Sequence, residues 1–257
     1  MTGSVAKAGL QSSSPDALAP EKTSSGTSHV EGWRAVVPNV EHESVTRVSL
    51  GPIDPDLAKE NRWYRLLEVT ATAAGLAVLA PWMALIAIAI KLDSRGPVLF
   101  RQRRVGKFGN TFMCLKFRTM VPDAAGRLAA LLESDPAMAA EFAAHQKLER
   151  DPRVTRVGRI LRKAKLDELP QLLNVLRNEM ALVGPRPIVI PEVVRYGEHA
   201  SVVFSVRPGI TGQWQAAQDE SMSYDRRVAL DMEYVHNRST MGDIRIILAT
   251  LAGLLDR

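Results

Sequence analysis

At 257 residues the chain is long enough for one good core plus an appendage and too short for two full domains. Apolar residues make up 46% and aromatics only 5%, while a formal charge of +5 and a pI near 9.5 point to acidic partners: nucleic acid, anionic lipid or a phosphorylated substrate. The single cysteine, Cys114, excludes an intrachain disulfide and any multi-cysteine metal site, which suits a reducing, cytoplasmic setting.

Residues 1–58 read as a disordered tail. Met1 to Ser28 mixes Ser, Ala, Pro and Gly without the apolar core of a signal peptide, and such a stretch buries too little surface to offset its ordering entropy. Pro52 and Pro55 punctuate the end of the tail, and Val45 to Leu50 is short-strand material at most. Residues 59–92 form a membrane segment. From Val69 to Ile90 about 22 residues carry no charge, which at ~1.5 Å per residue is just enough helix for a bilayer core of ~30 Å. Arg62 and Arg65 precede this segment, and Lys91, Arg95, Arg101, Arg103 and Arg104 follow it, so the positive-inside tendency assigns no orientation. Pro81, near the middle, removes one backbone hydrogen bond and clashes with the preceding turn. On these residues a straight span and a re-entrant helix-break-helix are equally open.

Residues 93–257 form the cytoplasmic domain, for which the pattern predicts an α/β fold dominated by helices with a small β-sheet. Gly96-Pro97 signals a turn; Val98 to Phe100 and Thr111 to Phe117 read as strands joined by a hairpin loop over residues 106–110. Arg101, Arg103 and Arg104 on this element read as headgroup-level charges attracted to anionic lipid, about 1 kcal/mol each. Lys116-Phe117-Arg118-Thr119-Met120 alternates charged and apolar residues just before Pro122, as an edge strand with a solvated face would. Asp123 to Arg150 reads as two helices interrupted at Asp135-Pro136.

The residues suited to chemistry come next. Val154, Val157, Ile160 and Leu161 keep helical spacing and leave Arg153, Arg156, Arg159, Arg162 and Lys163 to the other face. Leu169, Leu172, Leu173 and Leu176 mark a second helix, and Pro170 fits only its first turn, which places Asp167 at or near the N-cap. An Asp there is an ordinary cap. The same place, near several arginines, is expected to keep it ionised with a lowered pKa, and an ionised carboxylate facing a phosphate can attack phosphorus. Glu168 offers an adjacent hard oxygen ligand for a divalent cation. Val183 to Pro187 and Val206 to Gly212 are turns stiffened by Pro and Gly, each displaying one arginine, Arg186 and Arg207; Trp214 follows as a packing anchor.

At these residues the sequence resembles the bacterial sugar transferase family, the monotopic polyprenyl-phosphate phosphoglycosyl transferases. Five blocks stand in the family's order from about Arg62 to the C-terminus: the apolar segment running into Lys91-Leu92-Asp93-Ser94, Lys116 to Met120, Asp167-Glu168-Leu169-Pro170-Gln171, Val183 to Pro187, and Arg207 to Gln215. The resemblance implies transfer of a sugar-1-phosphate from a UDP-sugar to undecaprenyl phosphate with release of UMP, the first membrane step of exopolysaccharide or other glycoconjugate synthesis. It implies Asp167 as the nucleophile, Glu168 as a Mg²⁺ ligand, and Arg162 and Arg186 in the phosphate site, to which Lys116, Arg118 and Arg207 are added as candidate phosphate-binding residues. It further implies a re-entrant segment broken at Pro81, monotopic on the cytoplasmic face of the bacterial inner membrane and in contact with membrane lipid. No nucleic acid is expected as a partner, and a homodimer is left open. The sequence departs from the family at Ala80 before Pro81, at Ala164-Lys165 before the carboxylates, at Glu68 where an Asp is usual, and at Ala216 to Asp219 after Trp214-Gln215.

Overall fold

Asn61 starts the first helix by accepting hydrogen bonds from the amides of Trp63 (2.9 Å) and Tyr64 (3.3 Å), the usual way a short polar side chain satisfies a helix's free N–H groups. This helix, α1 (Arg62–Asp93), belongs to a computed structural model that describes residues 45–145, 148–217 and 222–255. Its 32 residues run without interruption through Pro81, so the proline removes a backbone bond without ending the helix. α1 is long and apolar enough to cross a membrane, and Val78 (73% exposed) and Trp82 (64%) leave its middle open.

Both ends of α1 are anchored. Near its start, Glu68 is buried, pairs with Arg65 and accepts from the amide of Leu182 (2.6 Å), while Arg65 donates to the carbonyl of Val175. Tyr64 adds a hydrogen bond to Asp243. Near its end, Ile90 is buried with Phe117 and Leu161, and Asp93 accepts from the amide of Val157 (3.0 Å).

The chain then forms the expected antiparallel hairpin, β1 (Leu99–Val105) against β2 (Thr111–Phe117), with Leu99 opposite Phe117 and Val105 opposite Thr111. The segment from residue 45 to 50, expected to belong to the tail, packs on this hairpin instead. Thr46 accepts from the amide of Thr111, the Val48 amide donates to Gly109, and Val48 and Leu50 lie against the cluster of Val105, Tyr196 and Phe204. Burying those two side chains offsets the ordering entropy that polar residues alone would not. Residues 1–44 of that tail lie outside the described residues.

Two helices follow as the sequence pattern predicts, α2 (Ala124–Ser134) and α3 (Pro136–His145), with Asp135 capping α3 through the amides of Ala137 and Met138. Thr155 caps α4 (Arg156–Lys163). Gly158 lets this helix lie directly on the strand segment beside it: a Cβ there would stand 2.1 Å from the Thr119 carbonyl oxygen. α5 (Gln171–Leu176) leads to β3 (Ala181–Val183), which pairs in parallel with β4 (Gly209–Thr211), so among the described residues the strands form two two-stranded sheets. A 3₁₀ segment (Ile190–His199) and α6 (Ala200–Val203) connect β3 and β4, and α7 (Gln213–Ala217), α8 (Tyr224–Asn237) and α9 (Thr240–Leu255) complete the chain. A core of Val183, Val206, Tyr234 and Val235 ties α8 to the parallel strands, and one of Phe112, Cys114, Val175 and Met180 ties α5 to β2.

Candidate active site

The two carboxylates sit on the turn between α4 and α5. After Lys163 the chain reverses at Lys165, which adopts the left-handed conformation (φ 53°), a shape that costs a residue with a Cβ about 1 kcal/mol and is held here by its surroundings. Leu166–Glu168 then forms one 3₁₀ turn, closed by the Leu169 amide on the Leu166 carbonyl. Leu166 and Leu169 fall on one edge of that turn and pack against Ile90, Phe117 and Leu161, which turns Asp167 and Glu168 away from the apolar cluster. Asp167 is therefore not the N-cap of α5. It lies one turn earlier, and Pro170 occupies the cap position.

Asn174 fixes α5 to the hairpin. Its side chain is fully buried, accepts from the Leu115 amide (3.0 Å), and donates to the Met113 carbonyl (2.8 Å) and to Glu179 (2.6 Å). The next residue of β2, Lys116, donates to Glu168 at 2.6 Å. Sequence reasoning passed over Asn174; its signal was an amide side chain amid the apolar run Leu172-Leu173-Asn174-Val175-Leu176.

The two carboxyls are driven apart electrostatically. Burial pushes Glu168 up, but Lys116 by charge and hydrogen bond, then Arg186 and Lys165, hold it below its ordinary value. For Asp167, burial and the adjacent Glu168 charge prevail over Lys116 and Arg162, so its pKa is raised. This reverses the expectation from sequence, which counted the arginines and the helix start but neither desolvation nor the like charge next door.

The fold thus collects Lys116, Arg162 and Arg186 around the pair. Arg162 donates from Nε to Thr119 (2.8 Å) and acts on Asp167, and Arg186 is exposed, stands over the Trp214 ring and acts on Glu168. Arg118 goes elsewhere, donating to the carbonyl and hydroxyl oxygens of Ser94 at the end of α1, with Nε and Nη1 buried and unpartnered among the described residues. Arg207 also lies apart: it pairs with Glu60 (2.7 Å), donates to Asn178, and lines a polar cavity of about 250 Å³ with Tyr64, Arg65, Glu68 and Asp243. Pro81 lies inside α1, and two residues on, Met83 packs on the cluster of Ile90, Phe117 and Leu161 that Leu166 and Leu169 also meet. Arg104 and Arg103, expected to face lipid headgroups, serve the fold instead. Arg104 donates to the Pro187 carbonyl (2.7 Å) and so holds the loop that carries Arg186, while Arg103 donates to Thr111 and Val45.

The carboxylate pair thus lies on a turn ringed by cations, between helices that the two ends of an apolar helix grip. The sequence model of one family, bacterial sugar transferase, matches residues 59–257, and the chain belongs to that family. It is 42% identical over 187 residues to the exopolysaccharide production protein ExoY of Sinorhizobium fredii, covering 73% of this chain and 83% of that protein. It is 42% identical over 214 residues to the UDP-glucose:undecaprenyl-phosphate glucose-1-phosphate transferase of Caulobacter vibrioides, covering 80% of this chain and 73% of that one. To the undecaprenyl-phosphate galactose phosphotransferase of Salmonella typhimurium it is 40% identical over 212 residues, 82% of this chain but only 44% of that protein. It spans 41% of an uncharacterized sugar transferase of Haemophilus influenzae, at 42% identity over 193 residues.

Proposed function

We propose that this chain transfers a sugar-1-phosphate from a UDP-sugar to undecaprenyl phosphate through a covalent intermediate on Asp167. The observation that carries this reading is the turn itself. Asp167 and Glu168 share one 3₁₀ turn, Glu168 is neutralised by Lys116 at 2.6 Å, and Arg162 and Arg186 stand by to meet the charge that develops on phosphorus. The relatives named as glucose and galactose phosphotransferases on undecaprenyl phosphate supply the substrate classes.

An Asp167 oxygen attacks the β-phosphorus of the donor, the bond from that phosphorus to the oxygen bridging to the α-phosphate breaks, and UMP leaves with the electron pair. An oxygen of the lipid phosphate then attacks the same phosphorus, the bond to Asp167 breaks, and the carboxylate is regenerated. Among the described residues no three His, Cys, Asp or Glu side chains gather as a metal site. Mg²⁺ bound through one or two carboxylates together with substrate phosphates needs no such cage, so Glu168, next to the nucleophile, fits it. When bound it would shield the diphosphate oxygens from the attacking carboxylate.

The same reading places both ends of α1 on the cytoplasmic face, with the helix dipping into the inner membrane and bending near Pro81. A helix crossing once would leave its ends on opposite sides of ~30 Å of hydrocarbon, whereas Arg65, Glu68, Ile90 and Asp93 all engage one folded unit. Cysteines placed at Arg62 and Lys91 and labelled from outside intact vesicles test this; labelling from opposite faces removes the hairpin. The chemical test uses membrane-extracted protein and a UDP-sugar labelled in the sugar. Label is expected on Asp167 with release of UMP and ping-pong kinetics, and a fully active Asp167→Asn protein would overturn the proposal.

A further inference from the structure

Helix α8 brings a second guanidinium to the Arg186 side of the site. The Cζ of Arg227 stands 4.8 Å from the centroid of the Trp214 ring, and the Cζ of Arg186 stands 5.3 Å from the same centroid. The ring attracts each cation, yet two cations on one indole repel each other, and an anion bound beside them relieves that repulsion. The Arg227 Nε is buried and has no hydrogen-bond acceptor among the described residues. A buried donor left without an acceptor is costly, so an acceptor from a ligand is what this place lacks.

The surroundings hold the arrangement in place. Asp231, four residues on from Arg227 and so on the same face of α8, is 1% exposed and accepts from the Tyr196 hydroxyl at 3.0 Å. Burial raises its pKa to about 7 against the pull of that hydroxyl and of the Arg186 amide and charge, so α8 bears on the Arg186 loop as well as on Trp214. Arg186 in turn acts on Glu168. The order of groups is thus carboxylate turn, Arg186, Trp214, Arg227.

We propose that Arg227 is a further binding residue for the donor, pairing with the phosphate of the nucleoside monophosphate that leaves; this rests on the transferase reading above. In-line displacement puts the leaving phosphate on the side of the reacting phosphorus away from Asp167, and Arg227 is the cation reached last from the carboxylate turn. A neutral sugar would give a second cation nothing to pair with, whereas a phosphate accepts from a guanidinium at short range. The lipid phosphate enters along the line by which the nucleotide leaves, so the same contact serves both half-reactions.

The experiment measures UMP affinity by titration calorimetry on the detergent-extracted full chain, with KM for both substrates. Arg227→Gln keeps much of the stem and removes the charge; it is expected to weaken UMP about tenfold and to raise both KM values by a comparable factor. Arg227→Lys restores the charge and is expected to recover most of the UMP affinity, and the melting temperature without ligand stays that of the parent in both variants. Wild-type UMP affinity in Arg227→Gln would overturn the inference, as would a lysine variant no better than glutamine, which would assign Arg227 to packing on the ring. A parent chain that neither binds UMP nor releases it from any UDP-sugar would sink the transferase reading itself, a result distinct from normal parent binding with indifferent variants.

Discussion

The loops carrying Arg186 and Arg207 touch where the Gly209 amide donates to the Pro185 carbonyl at 2.9 Å, and they continue strands that pair side by side. From this shared footing the two arginines turn to different neighbours. Arg186 is exposed above Trp214 and acts on Glu168, with no carboxylate paired to it among the described residues. Arg207 has 10% of its side chain exposed and is taken up by Glu60 and Asn178. Similar turns of Pro, Gly and Arg thus yield one guanidinium free to meet a ligand and one spent on the fold. What decides is the acid within reach: Glu60 stands beside Arg207, while of the acids that act with Arg186, Glu168 already holds Lys116 and the buried Asp231 already accepts from Tyr196.

The largest expected effect strikes both loops together. A Cβ on Gly184 would lie 2.5 Å from the Arg207 carbonyl oxygen and 2.8 Å from the Gly209 amide, so Gly184→Ala must push the loops apart. We expect about 3 kcal/mol of lost stability with activity lost alongside, read by denaturant unfolding and UMP release. Next, Arg186→Ala is expected to lower turnover about 100-fold with little change in melting temperature, because an exposed guanidinium stacked on Trp214 without an ion pair among the described residues adds little to the folding balance.

Arg207→Ala should do the opposite. It leaves Glu60 beside Lys107 alone and is expected to cost about 2 kcal/mol of stability, less than a fully buried pair because the Glu60 side chain is 24% exposed. The fraction that stays folded should turn over at nearly the parent rate. The smallest effect is in the pH profile. A carboxylate that must be ionised to attack loses rate as pH falls through its pKa, and burial with the Glu168 charge places Asp167 above the ordinary carboxylate range. Lys116 is the first of the cations opposing that rise, so Lys116→Met should move the acid limb of turnover upward, whereas Arg207→Ala should leave it in place. A limb that shifts equally in both would place Arg207 at the carboxylate turn beside Lys116 and not apart from it.

Local pattern made much of the frame legible. The alternation of Thr111 to Phe117 and the loop at residues 106–110 gave the hairpin, Asp135-Pro136 gave the junction of α2 and α3, and Pro170 marked the approach to α5. What stayed hidden depends on contacts between remote residues. The left-handed Lys165 and the 3₁₀ turn after it exist because Leu166 and Leu169 reach the cluster of Ile90, Phe117 and Leu161, which no local window displays. Lys165, one of the departures from the family, is the joint at which the chain reverses. The pairing of Arg207 with Glu60, the docking of Val48 and Leu50, and the hold of Arg104 on Pro187 were concealed for the same reason. Of the positions where the sequence departs from its family, Gln218 and Asp219 lie outside the described residues, and Glu68 proves to cap the Leu182 amide.

The double anchoring of α1 bears on how this protein can be handled. A chain trimmed to begin at Ser94 for the sake of solubility would strip the Leu182 and Val157 amides and the Val175 carbonyl of their partners and would open Phe117 and Leu161 to water. The helices on either side of Asp167 and Glu168 would lose their outer supports together. The lipid-facing segment is therefore not a detachable anchor but part of the scaffold, and detergent or nanodisc, rather than truncation, is the route to a working sample.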